Sequence, residues 1–213
     1  MRLGIFGGTF DPVHYCHLIL AECCREQLAL DKVWFLPTAV PPHKQQQELT
    51  PGEQRAEMLD LALGGDPAMA VCRYEISRGG VNYTVETLEN HFVRESPGAE
   101  LFFLMGADSL RDLPNWRNPQ RLCELATPVA VNRGGDGEQG SDPTTSPEWA
   151  ALAQALPPAR LQAIRSTRVE MPRIDISSSE LRSLVAAGRS IRYRTPRAIE
   201  KYIETHGLYV AGR

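Results

Sequence analysis

Residues able to do chemistry are densest near the amino end, in the stretch GIFGGTFDPVHYCHL, residues 4–18. His14 and His17 stand three apart, so a helix that begins here presents both rings on one face of its first turn. Gly7 and Gly8 allow close backbone approach or a positive φ, and Asp11-Pro12 is a turn-forming step. The free N–H groups and positive dipole end of a following helix attract anions. The chemistry that fits is binding and neutralising phosphate; the plainer role for two histidines is to cap and pack a helix start. Spacing removes several alternatives. Glycines at 4, 7 and 8 do not form GxGxxG, and no GxxxxGK followed by Ser or Thr occurs. Neither HExxH nor a third ligand beside the His pair supports a metal site.

A phosphate site made from one loop needs an opposing wall, and DISSSELR, residues 175–182, can supply it. Ser177, Ser178 and Ser179 offer hydroxyls and free N–H groups before a helix, and Ser177 with Glu180 also fits a capping box. Arg182, one turn in, brings a charge that reaches the same anion. Three further segments lie between these ends. PPHK, 41–44, presents His43 and Lys44 on a Pro-stiffened turn. VNYTVETL, 81–88, puts Tyr83 and Thr84 at a helix start, where Thr84 is either an N-cap or a ligand contact. FFLMGADSLRDLPNW, closing at Trp116, places Gly106 and Asp108 at the carboxyl end of a strand. An Asp there can accept ribose hydroxyls, and Trp116 either stacks on a ring or covers the core.

Positioning these residues requires alternating elements, and the chain has them. RLGIF, KVWFLP, AVCRYEI, ELFFLMG, PVAVNR and the shorter TRVEMP read as strands. Helical patterns run through HLILAECCREQLAL, near 53–63, from Val85 to Arg94 and near 118–125. This predicts an α/β fold, a doubly wound and mostly parallel sheet covered on both faces, as one domain over residues 1–213. In such sheets ligands bind beyond the carboxyl ends of the strands, where the two-histidine stretch falls. GGDGEQGSDPTTSPEW, 134–149, reads as a surface loop or insertion. Residues 175–213 read as a small helical carboxyl-terminal part: SSELRSLVAAG stops at Gly188, and TPRAIEKYIETHG has Pro196 in its first turn and Gly207 after its end.

Composition narrows the partners. The net charge of −3 hides an asymmetry: residues 155–213 hold 11 Lys+Arg against 5 Asp+Glu. Without the aromatic and groove-reading signals of a nucleic-acid surface, this excess points to a small anionic ligand, with a solvated basic face as the plainer alternative. Cys16, Cys23, Cys24, Cys72 and Cys123 form no CxxC pair and are expected as reduced thiols. With no leader-like segment and no bilayer-length apolar run, a cytoplasmic protein is expected, with no membrane partner.

GGTFDPVHYCH resembles the signature of the nucleotidyltransferase superfamily related to class I aminoacyl-tRNA synthetases, in which His, any residue, Gly and His follow one another. There the two histidines contact the phosphates of a nucleoside triphosphate and stabilise the transition state, which implies that role for His14 and His17. Cys16 stands where the signature has Gly, and a thiol there narrows the slot for the base. ISSSELR is similar to the second signature, Ile-Ser-Ser-Thr with a following Arg, and implies Ser177, Ser178, Ser179 and Arg182 on the triphosphate.

The middle segments, with VNRGG and the terminal YIETHGLY, are similar to those of bacterial nicotinate mononucleotide adenylyltransferases over nearly the whole chain. The resemblance implies a Rossmann-like nucleotidyltransferase fold and adenylyl transfer from ATP to nicotinate mononucleotide, with Mg²⁺ accompanying ATP. It further implies that Gly7, Gly8, Thr9 and Phe10 line the ATP cleft and that Thr84, Asp108 and Trp116 hold the nicotinate nucleotide. By the same resemblance Lys44 is a catalytic residue, and Lys44 and Arg133 approach phosphates. Two other readings stay open at this point: a nucleotidyltransferase acting on phosphopantetheine or an alcohol phosphate, and a catalytically silent nucleotide-binding protein, for which Cys16 is the argument.

Overall fold

The computed structural model describes residues 1–39, 49–133, 144 and 146–211, with the side chains of residues 107, 108, 132 and 133 outside that description. Six strands, β1 (Arg2–Gly8), β2 (Lys32–Pro37), β3 (Met69–Val71), β4 (Glu100–Gly106), β5 (Thr127–Arg133) and β6 (Arg168–Met171), make one sheet in the order β3-β2-β1-β4-β5-β6. Every neighbouring pair is parallel. The chain runs outward from β1 to β3 and then crosses back to β4, so the winding direction reverses between β1 and β4. Helices leave the sheet in opposite directions there and open a crevice at the strands' carboxyl ends. Gly8 and Gly106 mark those ends.

The strands read as continuous apolar runs because both faces of the sheet are covered. Side chains alternate between the faces. On one face Phe6, Phe35, Phe102 and Leu104 pack with Leu20, Ala21 and Cys24 of α1 (Tyr15–Gln27). Leu181 and Leu184 of α10 (Ser178–Ala186) and Ile199 and Ile203 of α11 (Arg197–His206) join the same cluster. On the other face Leu3, Ile5, Leu101, Phe103 and Met105 meet Val85 of α4 (Thr84–Thr87) and Leu88 and Phe92 of a π turn (Leu88–Phe92) that leads into α5 (Val93–Glu95). Leu110 of α6 (Ala107–Asp112) and Leu122 of α7 (Pro119–Leu125) complete that layer with Trp149 of α8 (Pro147–Ala155) and Ile164 of α9 (Pro158–Ser166).

Several expectations change in three dimensions. AVCRYEI is not one strand: β3 stops at Val71, and Tyr74–Arg78 is helix α3. Glu75 turns inward there and accepts a hydrogen bond from Thr87 Oγ1 at 2.8 Å, a contact that an edge strand could not make. The expected surface segment 134–149 lies largely outside the described residues, but its last three residues open α8. Ser146 Oγ caps that helix by accepting from the Trp149 N–H, and the fully buried Trp149 ring donates through Nε1 to Leu110 O at 3.0 Å. Pro196 is the N-cap of α11 and Tyr83 that of α4, so neither Pro196 in the first turn nor Thr84 as a cap holds. Gly207 does end α11, at φ 58°, a left-handed angle that favours glycine. Among the described residues no helix is long and apolar enough to cross a membrane.

Candidate active site

A cleft of about 600 Å³ lies at the carboxyl ends of β1 and β4. Gly7, Gly8, Thr9, Cys16 and His17 line it on one side, and Tyr83, Thr84, Met105, Gly106 and Trp116 on the other. A Cβ at Gly8 would come 3.0 Å from the Phe10 ring, so the backbone's close approach there depends on glycine.

The two histidines share the start of α1 but have different surroundings. His14 is the N-cap and is buried, 3% exposed. Its backbone N–H donates to His17 Nδ1 at 3.3 Å. An accepting Nδ1 leaves the proton of a neutral imidazole on Nε2, so His17 carries its donor on the opposite edge of the ring. The two rings stack at 3.7 Å with an interplanar angle of 19°. Phe10 meets His17 edge-on at 5.0 Å and is itself buried against Phe6 and Phe35. Phe10 is not among the cleft-lining residues and packs against the ring of His17, which is. His14 is not among the residues that line the cleft, and it packs directly against His17, which is.

The serine segment and the amino-terminal loop meet through backbone carbonyls. Ser177 Oγ accepts from the Glu180 N–H as the N-cap of α10. Ser178 Oγ donates to Pro12 O at 2.9 Å, and Arg182 Nη1 donates to Asp11 O at 2.8 Å while Nη2 reaches Ser179 Oγ at 3.4 Å. Thr195 Oγ1 donates to Val13 O at 2.8 Å. Three successive carbonyls of the turn before α1 are thus held by the carboxyl-terminal part, which sets the amino ends of α1 and α10 beside one loop.

Below the loop lies a network that sequence reading missed. Arg55, 1% exposed, donates to Thr9 O and Thr38 O at 2.7 Å and to Thr50 O at 2.8 Å. Burial lowers its pKa, opposed by the charge of Asp11. Asp11 in turn accepts from Tyr209 Oη at 2.6 Å and from the Thr50 N–H at 3.3 Å. Desolvation, with Asp11 beside it, pushes the Tyr209 phenol far up. An arginine in the first turn of α2 (Gly52–Leu63) gives no local sign of this role.

On the opposite wall Trp116 stands edge-on to Phe103 at 6.0 Å and donates through Nε1 to Asp112 Oδ2 at 3.2 Å. Next to it Arg117, also missed, lies 4.3 Å over the Tyr83 ring and 3.3 Å from Glu86. Its position beside Trp116 was the available signal. At the base, Asn82 Nδ2 donates to the carbonyls of Gly79 and Gly80 and holds the turn before Tyr83. Burial pushes the Glu75 carboxyl above its ordinary range, against the lowering effects of Thr87 and Arg78. Lys44 lies outside the described residues, as do the side chains of Asp108 and Arg133. Among the described residues no three His, Cys, Asp or Glu side chains gather as metal ligands.

Residues 5–184 match the family model described as cytidylyltransferase-like. A relative from Thermomicrobium roseum bearing the name nicotinate-nucleotide adenylyltransferase is 45% identical over 208 residues, 98% of this chain and 91% of its own. A namesake from Thermus thermophilus is 43% identical over 209 residues, 98% of this chain and all of its own. Among solved structures, Plasmodium falciparum nicotinic acid mononucleotide adenylyltransferase complexed with NaAD superimposes with a TM-score of 0.72 at 17% identity, covering 98% of this chain and 97% of the other, which is a likeness of fold. Matching along almost its full length, the chain belongs to the cytidylyltransferase-like family and, within it, to the nicotinate-nucleotide adenylyltransferases.

Proposed function

We propose that the cleft between β1 and β4 joins ATP to nicotinate mononucleotide, forming nicotinate adenine dinucleotide and pyrophosphate. The observation that carries this reading is the division of one cleft between a phosphate-type loop with His17 and an opposite wall with Thr84 and Trp116. A 5′-phosphate oxygen of the mononucleotide attacks the α-phosphorus of ATP, and the bond to the β-phosphate oxygen breaks. Both reactants are anions, so the work is alignment and charge neutralisation, and no protein nucleophile is required.

In this reading His17 donates from Nε2 to a phosphate oxygen, with Gly7, Gly8 and Thr9 supplying close backbone. Ser177, Ser178, Ser179, Arg182 and the start of α10 face the rest of the triphosphate. His14 acts by stacking behind His17. Lys44 and Arg133 approach phosphates, and Thr84, Asp108 and Trp116 hold the mononucleotide. The residues proposed for the triphosphate offer imidazole, hydroxyl and guanidinium groups, and Asp11 is engaged by Tyr209 and Thr50, so Mg²⁺ would arrive with ATP and would not be held by these side chains. Bound there, the cation adds neutralisation of the triphosphate. Free thiols at all five cysteines accord with the cytoplasm as the proposed compartment.

The test is pyrophosphate release with Mg-ATP and, in parallel, nicotinate mononucleotide, nicotinamide mononucleotide and phosphopantetheine. Release with the nicotinate compound well above the others is expected. Release with phosphopantetheine alone would move the protein to another acceptor. Silence with all three, while ATP still binds, would overturn catalysis and turn attention to Cys16, which is 2% exposed in the cleft wall.

A further inference from the structure

Asp11 sets a difficulty for a turn that is to hold phosphate. It is the one carboxylate between the end of β1 and His14, the N-cap of α1. A helix start attracts anions, and it does not distinguish a carboxylate of its own turn from a phosphate brought by a ligand. Left to itself, this side chain would compete with the triphosphate or repel it. In the structure it is turned away: Asp11 is 1% exposed and is not among the residues that line the cleft, although Thr9 is.

The far end of the chain holds it there. Tyr209 Oη donates to Asp11 Oδ1 at 2.6 Å and accepts from Thr50 Oγ1 at 3.2 Å, while the Thr50 N–H reaches Asp11 Oδ2 at 3.3 Å. The phenol makes the shorter of the two contacts to the carboxylate and is itself fixed by a second hydroxyl. The two nearby cations do not take over this task. Among the described residues, Arg55 donates to the carbonyls of Thr9, Thr38, Ala39 and Thr50, and Arg182 takes the backbone carbonyl of Asp11, not its side chain. With its phenol pushed far up by desolvation and by Asp11, Tyr209 stays a donor throughout the neutral range.

Tyr209 reaches this position against a backbone preference. Its φ is 62°, in the left-handed region that a residue with a Cβ rarely adopts. Leu208, just before it, packs on the core and donates its N–H to Ile203 O at 3.0 Å. Such a conformation persists where the surroundings over-determine it, and here the anchored Leu208 and the two partners of the hydroxyl do so.

Building on the activity proposed above, we propose that Tyr209 is a positioning residue for ATP: its hydroxyl withdraws the Asp11 carboxylate from the phosphate-binding turn and leaves the amino end of α1 to the triphosphate. The effect acts through the charge of Asp11. It leaves the mononucleotide untouched.

The experiment measures the affinity for Mg-ATP by calorimetry, kcat and KM for both substrates, and a thermal melt, in the wild type, Y209F, D11N and the double variant. Y209F is expected to weaken Mg-ATP binding about tenfold, the worth of a hydrogen bond to a charged group, with the KM for nicotinate mononucleotide unchanged. D11N keeps an acceptor for Tyr209 and removes the charge, so adding Y209F to it should change the affinity by less than about twofold. An unchanged Mg-ATP affinity in Y209F, whatever its Tm, would overturn the proposal, as would an equal loss in the D11N background, which would make Tyr209 a simple tie. Should Y209F not fold, T50V takes away the hydroxyl that fixes Tyr209 Oη and keeps the ring; a loss of about threefold in Mg-ATP affinity is expected, and none would overturn the proposal. A wild type that binds Mg-ATP but makes no dinucleotide would overturn the activity alone, since the positioning is still read from binding. A wild type that does not bind Mg-ATP would overturn both.

Discussion

Arg182 donates through Nη1 to the backbone carbonyl of Asp11 at 2.8 Å, across 171 residues of chain. The contact joins the helix that follows the serine segment to the turn that precedes the two histidines. With Ser178 on Pro12 O and Thr195 on Val13 O, it ties together the two halves of the proposed phosphate site. Four predictions follow from this arrangement and its supports.

Replacing Arg182 removes a tie to the loop and, on the proposed function, a phosphate-facing charge. R182A is expected to raise the KM for ATP by about 10- to 100-fold, the worth of a charge-assisted hydrogen bond. It should also lower Tm by a few degrees, about 2–4 °C per kcal/mol at this chain length. Steady-state kinetics and a thermal melt check the two parts, and an unchanged KM for ATP would remove Arg182 from the site.

His17 presents Nε2–H while His14 and Phe10 fix its ring. H17A should lower kcat about 10²–10³-fold, as loss of one preorganised donor to a developing charge does, with the KM for nicotinate mononucleotide nearly constant. Equal loss in kcat and in mononucleotide affinity would point to ground-state binding instead.

Arg55 is a stability prediction. R55M leaves the carbonyls of Thr9, Thr38 and Thr50 without their buried donor and Asp11 without the nearby positive charge. Breaking a buried charge network of this kind costs about 3–5 kcal/mol. Urea unfolding would register it as a lower midpoint at constant slope; a shift under about 1 kcal/mol would show that water replaces the guanidinium.

Glu75 provides a pH dependence. Burial raises its pKa, so above the unfolded value of about 4.3 the native state still holds a proton that the unfolded chain has released. The native state binds more protons, and stability falls as pH rises. The contribution is complete below that unfolded value and is lost as pH climbs through the raised native one. E75Q lacks the titration, so its stability relative to the wild type should increase from about pH 4 to pH 8. Parallel curves of unfolding free energy against pH for the two proteins would refute this.

The layer structure was legible because buried parallel strands are uninterrupted apolar runs and helices carry a longer period. KVWFLP and ELFFLMG fall on β2 and β4 residue for residue. AVCRYEI was misread because it spans a strand end and a short helix, and its composition does not show where one gives way to the other. What turns it is Glu75 reaching Thr87, a pairing twelve residues away. The cap at Ser177 was readable for the opposite reason: Ser177 and Glu180 belong to one turn of helix.

By itself the sequence determined the alternation of strands and helices, the glycine-rich turn into α1 with His14 and His17 at its start, and the serine cap of α10. Each rests on residues within a few positions of one another, where period, turn preference and capping are local. Only the tertiary structure decided that His14 stacks behind His17 instead of standing beside it and that Phe10 is a brace. The same holds for Arg55, which holds the loop from below, and for Arg117, which lies on the wall with Tyr83. Those outcomes depend on which side chains are buried together after distant segments pack, and burial sets both the cost of an unpaired polar group and the direction a ring or cation must face.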